Sequence, residues 1–170
     1  ERHMQAVDKI LQYLKSSPGK GLLFKKEDTL TTKIYTDADY AGPITDRKST
    51  SRYCTFLGDN LVTWRSKKQD RVSRSSAEVE FRALAQGMCE GLWMKIILDD
   101  LKVKVDIPVQ LYYDNKSTMS IAHNPVQHDR TKHIEIDRHF IKDNLDRGFV
   151  ITTHVLTELQ IADIFTKGLP

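Results

Sequence analysis

Cysteine is scarce in this chain: 170 residues hold two, Cys54 and Cys89, far apart and outside any Cys-x-x-Cys spacing. A disulfide scaffold and a cysteine-rich zinc site are therefore excluded as organising principles, and a reducing interior is the expected setting. Long apolar runs are missing too, and none approaches the ~18 residues of a membrane span. The opening residues lack the charged-then-apolar order of a secretory signal. Charge of one sign is nearly absent as a net quantity: 26 Lys and Arg against 23 Asp and Glu leave +3, too little to name a partner. Internal repeats and low-complexity tracts are also lacking, which sets solenoids and disordered tails aside. With 39% hydrophobic and 29% charged residues, the composition is that of one globular domain able to bury a core.

What is present has a clear order. Met4, Val7, Ile10, Leu11 and Leu14 recur at helical spacing, and a Ser-Ser-Pro-Gly turn at 16–19 ends the run. Residues 1–29 thus read as an amphipathic helix and linker, and 30–170 as the main domain. A Thr-, Ile- and Tyr-rich run from Leu30 predicts a strand ending at Asp37. Residues 52–57 and 61–65 flank Gly58-Asp59-Asn60 and predict a hairpin with a tight turn. Ser75 or Ser76 caps a predicted long helix reaching Asp100. Then come a strand over 109–114, a short helix over 115–122 closed by Asn124-Pro125, and a polar loop over 123–133. A helix over 134–147 stopped by Gly148 and a strand over 149–155 follow. Thr157-Glu158-Leu159-Gln160 has capping-box form and opens a predicted last helix through Lys167. Short connections make the three early strands antiparallel, and helical crossovers make the two later ones parallel and right-handed. The expected fold is α/β, a mixed five-stranded sheet with helices on both faces.

Four carboxylate-bearing segments punctuate this order: Tyr35-Thr36-Asp37-Ala38-Asp39, Ser75-Ser76-Ala77-Glu78-Val79-Glu80-Phe81, Tyr112-Tyr113-Asp114-Asn115 and Gln160-Ile161-Ala162-Asp163. Singly, each has a plain explanation: a turn aspartate, a helix cap, an exposed helix charge. Glu78 and Glu80 fall ~200° apart on a helix. They flank the apolar stripe of Phe81, Leu84, Ala85, Met88 and Leu92, so periodicity does not choose between them. Brought together, such acids would repel one another without a cation, and Mg²⁺ takes oxygen ligands of this kind. The set points to metal-dependent phosphodiester chemistry. A basic run, Arg65, Lys67, Lys68, Arg71 and Arg74, contains a single acid, Asp70, and suits phosphate contacts, with a solvated face as its plain alternative. His123, His128, His133 and His139 match no common zinc spacing.

At these segments the chain resembles the ribonuclease H family, specifically the ribonuclease H domain of copia-type LTR-retrotransposon polyproteins. Tyr35–Gly42, Asp46–Ser51 and Trp64–Gln69 are similar to that group's early motifs. Ser75–Glu80, Tyr113-Asp114-Asn115, Arg130–Ile134 and Ala162–Lys167 are similar to its later ones. The resemblance covers nearly the whole chain. Residues 6–15 resemble the tether that joins reverse transcriptase to ribonuclease H, which implies a piece of a longer polyprotein with a reverse transcriptase domain as partner.

The resemblance implies hydrolysis of the RNA strand of an RNA–DNA hybrid with two Mg²⁺ ions, Mn²⁺ being able to substitute. Asp37, Glu80, Asp114 and Asp163 are the implied catalytic and metal-binding residues, with Glu78 as the fallback on the helix. Arg65, Lys67, Lys68, Arg71 and Arg74 would hold phosphates, and Ser75, Ser76 and Asn115 would reach the minor groove. The implied setting is intracellular, in the cytoplasm within virus-like particles, without a membrane partner. A nucleic-acid-binding or spacer domain without activity is the alternative. Two departures stand out. The wider family often carries a mobile histidine in a glycine-rich loop before the last helix, whereas His154 falls inside a strand here. Copia-type domains usually have glycine where Arg52 follows Ser51, and an arginine there would alter packing or add a phosphate contact.

Overall fold

The computed structural model describes residues 2–27, 29–41, 47–118 and 132–165. Its elements run α1 (Arg2–Ser16), β1 (Thr31–Asp39), β2 (Thr50–Leu57), β3 (Asn60–Lys68), α2 (Ser76–Asp100), β4 (Asp106–Tyr113), α3 (Lys132–Asp146) and β5 (Val150–His154). Two 3-10 turns, Thr157–Leu159 and Ile161–Phe165, close the described chain. The strands form one five-stranded sheet in the order β3-β2-β1-β4-β5. β1 pairs antiparallel with β2, and β2 antiparallel with β3. β4 joins β1 and β5 in parallel. No helix among the described residues is long and apolar enough to cross a membrane.

Strand alternation sets the layers. Thr32, Ile34 and Thr36 of β1 are buried beneath α2, while Tyr35 points the other way and stacks on Tyr112 with ring centroids 4.6 Å apart. Tyr35 and the two 3-10 turns line an apolar cleft on that second face, so helical segments cover both sides. Ile34, Phe81, Leu84, Met88, Leu111 and Ile141 are wholly buried and form the core between sheet and helices. The stripe read on α2 is thus its core face. Two glycines let this helix press onto β1. A Cβ at Gly91 would lie 2.5 Å from Ile34 Cδ1, and one at Gly87 would collide with Thr36 Cγ2.

Local chemistry explains most boundaries. Ser75 Oγ accepts from Glu78 N at 3.2 Å and caps α2. Gly148, at φ +68, ends α3 with bonds from its own N–H to Leu145 O and from Phe149 N–H to Asn144 O. Gly58 takes φ +61 in the two-residue turn between β2 and β3. From His3 to Ser16 every residue of α1 is exposed, including its apolar stripe. The linker is tied to the hairpin turn, since Lys25 N donates to Asn60 Oδ1 at 2.7 Å and Asp59 N to Glu27 Oε1 at 2.8 Å.

Several expectations change: β2 begins at Thr50, β3 covers Asn60–Lys68, β4 covers Asp106–Tyr113 and β5 covers Val150–His154. β1 does not stop at Asp37 but runs to Asp39, because β2 pairs with it as far as Thr50. α3 begins at Lys132, two residues before the expected start, and takes Lys132 and His133 from the polar loop. The last helix is replaced, over the described residues, by the two 3-10 turns. The cause is Gln160, which is 3% exposed and does not act in a capping box. Its Nε2 donates to Thr36 O at 2.9 Å and its Oε1 accepts from Ala162 N at 3.4 Å, which holds the segment against β1. The expected helix over 115–122 is described only for Lys116–Thr118. Residues 119–122 and the loop over 123–131 lie outside the described residues, as do 42–46 and 166–170 from the motif segments.

Gly87→Ala should destabilise the fold by about 1–3 kcal/mol, because the short, branched Thr36 beneath it has no flexible end to move away. A melting curve unchanged from the parent would contradict this packing.

Candidate metal centre and nucleic-acid interface

Asp37 and Asp114 become neighbours through strand register. Tyr35 of β1 pairs with Tyr112 of β4, and each acid lies two residues further along its strand direction. In a parallel pair that carries both side chains to the same end of the sheet. Glu80, in the first turns of α2, reaches the same point and accepts from Ala38 N at 3.3 Å. Ligand atoms of Asp37, Glu80 and Asp114 all lie within 4.8 Å of one another. Asp163, in the second 3-10 turn, is outside this close group, but its charge acts on Asp37.

Glu78 is turned elsewhere. Its carboxylate takes 2.7 Å and 2.9 Å bonds from Arg82 Nη2 and Arg74 N, which binds the helix start to the preceding loop. The two glutamates, equivalent by periodicity, are therefore separated by their partners. Arg52 is the unexpected member of the site. It sits opposite Asp37 in the β1–β2 pairing, is 6% exposed, and brings Nη1 to 3.9 Å from Asp37 Oδ2. Its Nε donates to Ser66 Oγ at 3.1 Å. Buried in this way, its guanidinium is directed at Asp37. His154 is also engaged, with Nε2 2.9 Å from Asp114 O.

The basic run divides. Arg65 and Lys67 line a cleft of about 490 Å³ with Tyr53, Arg82 and Trp93, and Lys67, Lys68 and Arg71 line an adjoining one with Arg82. Arg74 lies apart from these clefts, at the capped end of α2, where its carbonyl accepts from the Tyr40 hydroxyl at 3.3 Å. Ser75 is occupied as the cap, Ser76 is exposed, and Asn115 Oδ1 accepts from Ser117 N at 3.0 Å. Three residues near the site were assigned no role from the sequence. Trp93 is half exposed on α2 beside basic residues. Arg82 links Glu78 to the clefts. Gln69, 7% exposed, donates to Ser51 Oγ and Val79 O and so fastens the basic loop to α2. Gln69 carried a signal, as an amide closing a run of cations. Arg82, four residues after Glu78 on a helix, carried another.

Burial and the charge of Asp114 push the Asp37 carboxyl up to about 6. Burial and the charges of Asp37 and Asp114 push Glu80 up to about 9. Arg52 is lowered by burial, against the pull of Asp37, Asp39 and Asp163. Three clustered carboxylates with two raised in this way form a hard-oxygen donor set that fits a divalent cation. The sign of the pH dependence follows. A folded carboxyl that holds its proton above the unfolded value of about 4 stabilises the metal-free fold at low pH. That stability is lost as pH rises through about 6 and then about 9. The metal-free melting temperature should fall between pH 5 and 9.5, and Glu80→Gln should flatten the upper part of that decline. A parent curve that rises or stays level over this range would contradict the electrostatics.

No family model matches the chain. It is 41% identical over 169 residues to the retrovirus-related Pol polyprotein from transposon RE1 of Arabidopsis thaliana, covering 99% of this chain and 12% of the polyprotein. It is 34% identical over 170 residues to that from transposon TNT 1-94 of Nicotiana tabacum, covering 100% of this chain and 13% of the polyprotein. The chain therefore spans a small fraction of the length of its curated relatives. Among solved structures it is similar to LC11-RNase H1 in complex with an RNA/DNA hybrid, at TM-score 0.55 and 14% identity over 79% of this chain and 92% of that one. The chain belongs to the retrovirus-related Pol polyproteins of copia-type transposons, as a segment of them with the ribonuclease H fold.

Proposed function

We propose that this domain hydrolyses the RNA strand of RNA–DNA hybrids in a Mg²⁺-dependent reaction, with Mn²⁺ able to substitute. The observation that carries the reading is the convergence of Asp37, Glu80 and Asp114 within 4.8 Å, on a fold shared with a ribonuclease H solved on a hybrid. In this reading the three carboxylates hold the cation and Asp163 extends the set beside Asp37. A second ion would rest on those two aspartates. When bound, the cation supplies Lewis-acid polarisation of the scissile phosphate and activation of water. The protein's own contribution is orientation: Glu80 is fixed by Ala38 N, and Asp114 by the His154 contact to its carbonyl.

Arg65, Lys67, Lys68 and Arg71 would hold backbone phosphates along the two clefts. Selection of RNA requires contact with 2′-hydroxyls, for which Ser76 and Asn115, beside the acids, are the candidates. The exposed apolar stripe of α1 supports a reverse transcriptase domain of the same polyprotein as a second partner. A polyprotein of this kind belongs inside the cell, and the domain boundary near residue 30 is part of the same proposal. Arg52 against Asp37 favours one competing reading, a domain that binds hybrid without cutting it.

A labelled hybrid incubated with parent and variants separates these readings. The parent should cleave the RNA strand with Mg²⁺, and Asp37→Asn should remove cleavage while leaving a folded protein. Glu80→Gln should cost at least about a hundredfold in rate, as expected for one member of a cooperating set. Glu78→Gln should instead lower stability through its lost ion pair with Arg82, with a smaller effect on rate. A parent that binds hybrid but never cleaves it would establish the competing reading.

Changing Lys67, Lys68 and Arg71 together to Ala should weaken hybrid binding by similar factors on two unrelated sequences. It should also reduce the slope of log affinity against log salt, by up to about 3 for three lost phosphate contacts. An unchanged slope would return this run to a solvated face.

A further inference from the structure

We infer that Arg52 is a cation built into the acidic site, so that the free protein holds one divalent ion where its four acids would otherwise admit two. The inference rests on reading those acids as a metal centre and goes beyond it in fixing how the centre is filled. Asp37 stands between two charge neighbourhoods. The acids acting on Glu80 are Asp37 and Asp114, whereas those acting on Arg52 are Asp37, Asp39 and Asp163. The segment that bears Asp163 packs on both β1 and β2, the strands that present Asp37 and Arg52. The guanidinium, 3.9 Å from Asp37 Oδ2, thus lies where that segment packs, beside the place a second ion held by Asp37 and Asp163 would take.

Its position is held, not incidental. Arg52 is 6% exposed, sits in a central strand opposite Asp37, and is fastened by its Nε to Ser66 Oγ. An arginine keeps its charge at any working pH. With one divalent ion on the three clustered carboxylates, the guanidinium 3.9 Å from Asp37 Oδ2 would repel a second cation from that side of Asp37. A substrate phosphate would offset that repulsion, so the distinction is read on protein free of nucleic acid.

The test is a Mn²⁺ titration of the full chain without nucleic acid, followed by the paramagnetic resonance signal of unbound Mn²⁺. The parent should take up one ion per chain, Arg52→Gln two, and Arg52→Lys one. Circular dichroism checks that the variants are folded. Arg52→Met gives a second reading if Arg52→Gln fails to fold, and its count should likewise be two. A parent that binds two ions, or an Arg52→Gln count equal to the parent's, would overturn the inference. No Mn²⁺ uptake by any of these chains would instead remove the metal centre itself, and this inference with it.

Discussion

Repulsion among Asp37, Glu80 and Asp114 is the constraint on which the rest of this structure turns. Burial first, and then mutual repulsion, raises the proton affinity of two of these three carboxylates within 4.8 Å, so in their charged form they oppose folding unless something neutralises them. Hydrophobic burial elsewhere sustains that opposition. Ile34, Phe81, Leu84, Met88 and Leu111 lock α2 and the central strands together just behind the acids. The close approach of α2 at Gly87 and Gly91 carries Glu80 to the tips of β1 and β4. A fold that gathers like charges at the end of a well-packed sheet stores electrostatic strain that a cation can relieve.

The wider architecture serves the same end. Parallel pairing of β1 with β4 sends two acids to one end of the sheet, and Ser75 fixes where α2 begins and hence where Glu80 points. Gln160 draws the C-terminal segment onto β1 through Thr36 O and brings Asp163 within electrostatic reach. Basic side chains from β3 and the loop after it lie along clefts against α2, so an anionic chain could lie there beside the acids.

Much of this was legible in the sequence, for identifiable reasons. The five strands, the long helix and its capping serine rest on local signals: alternation, turn residues and a cap. The four acids stood out because each occupies an element end or helix face that such a sheet gathers together. What escaped depends on long-range partners. Periodicity could not separate Glu78 from Glu80, since only the contacts to Arg74, Arg82 and Ala38 distinguish them. Arg52 was noticed, but that it faces Asp37 depends on the β1–β2 register, which no local signal sets. Gln160 had the position of a capping-box residue, and a tertiary acceptor on β1 won it instead.

The central claim is that Asp37, Glu80 and Asp114 share a divalent cation. The most direct measurement is a crystal structure with Mn²⁺ soaked in, the metal identified by its anomalous scattering. The account predicts a peak with oxygens of all three carboxylates at roughly 2.0–2.3 Å, the range for small hard divalent cations, and Glu78 still paired with Arg82. A peak on Glu78, or bound Mn²⁺ that leaves this trio untouched, would contradict it.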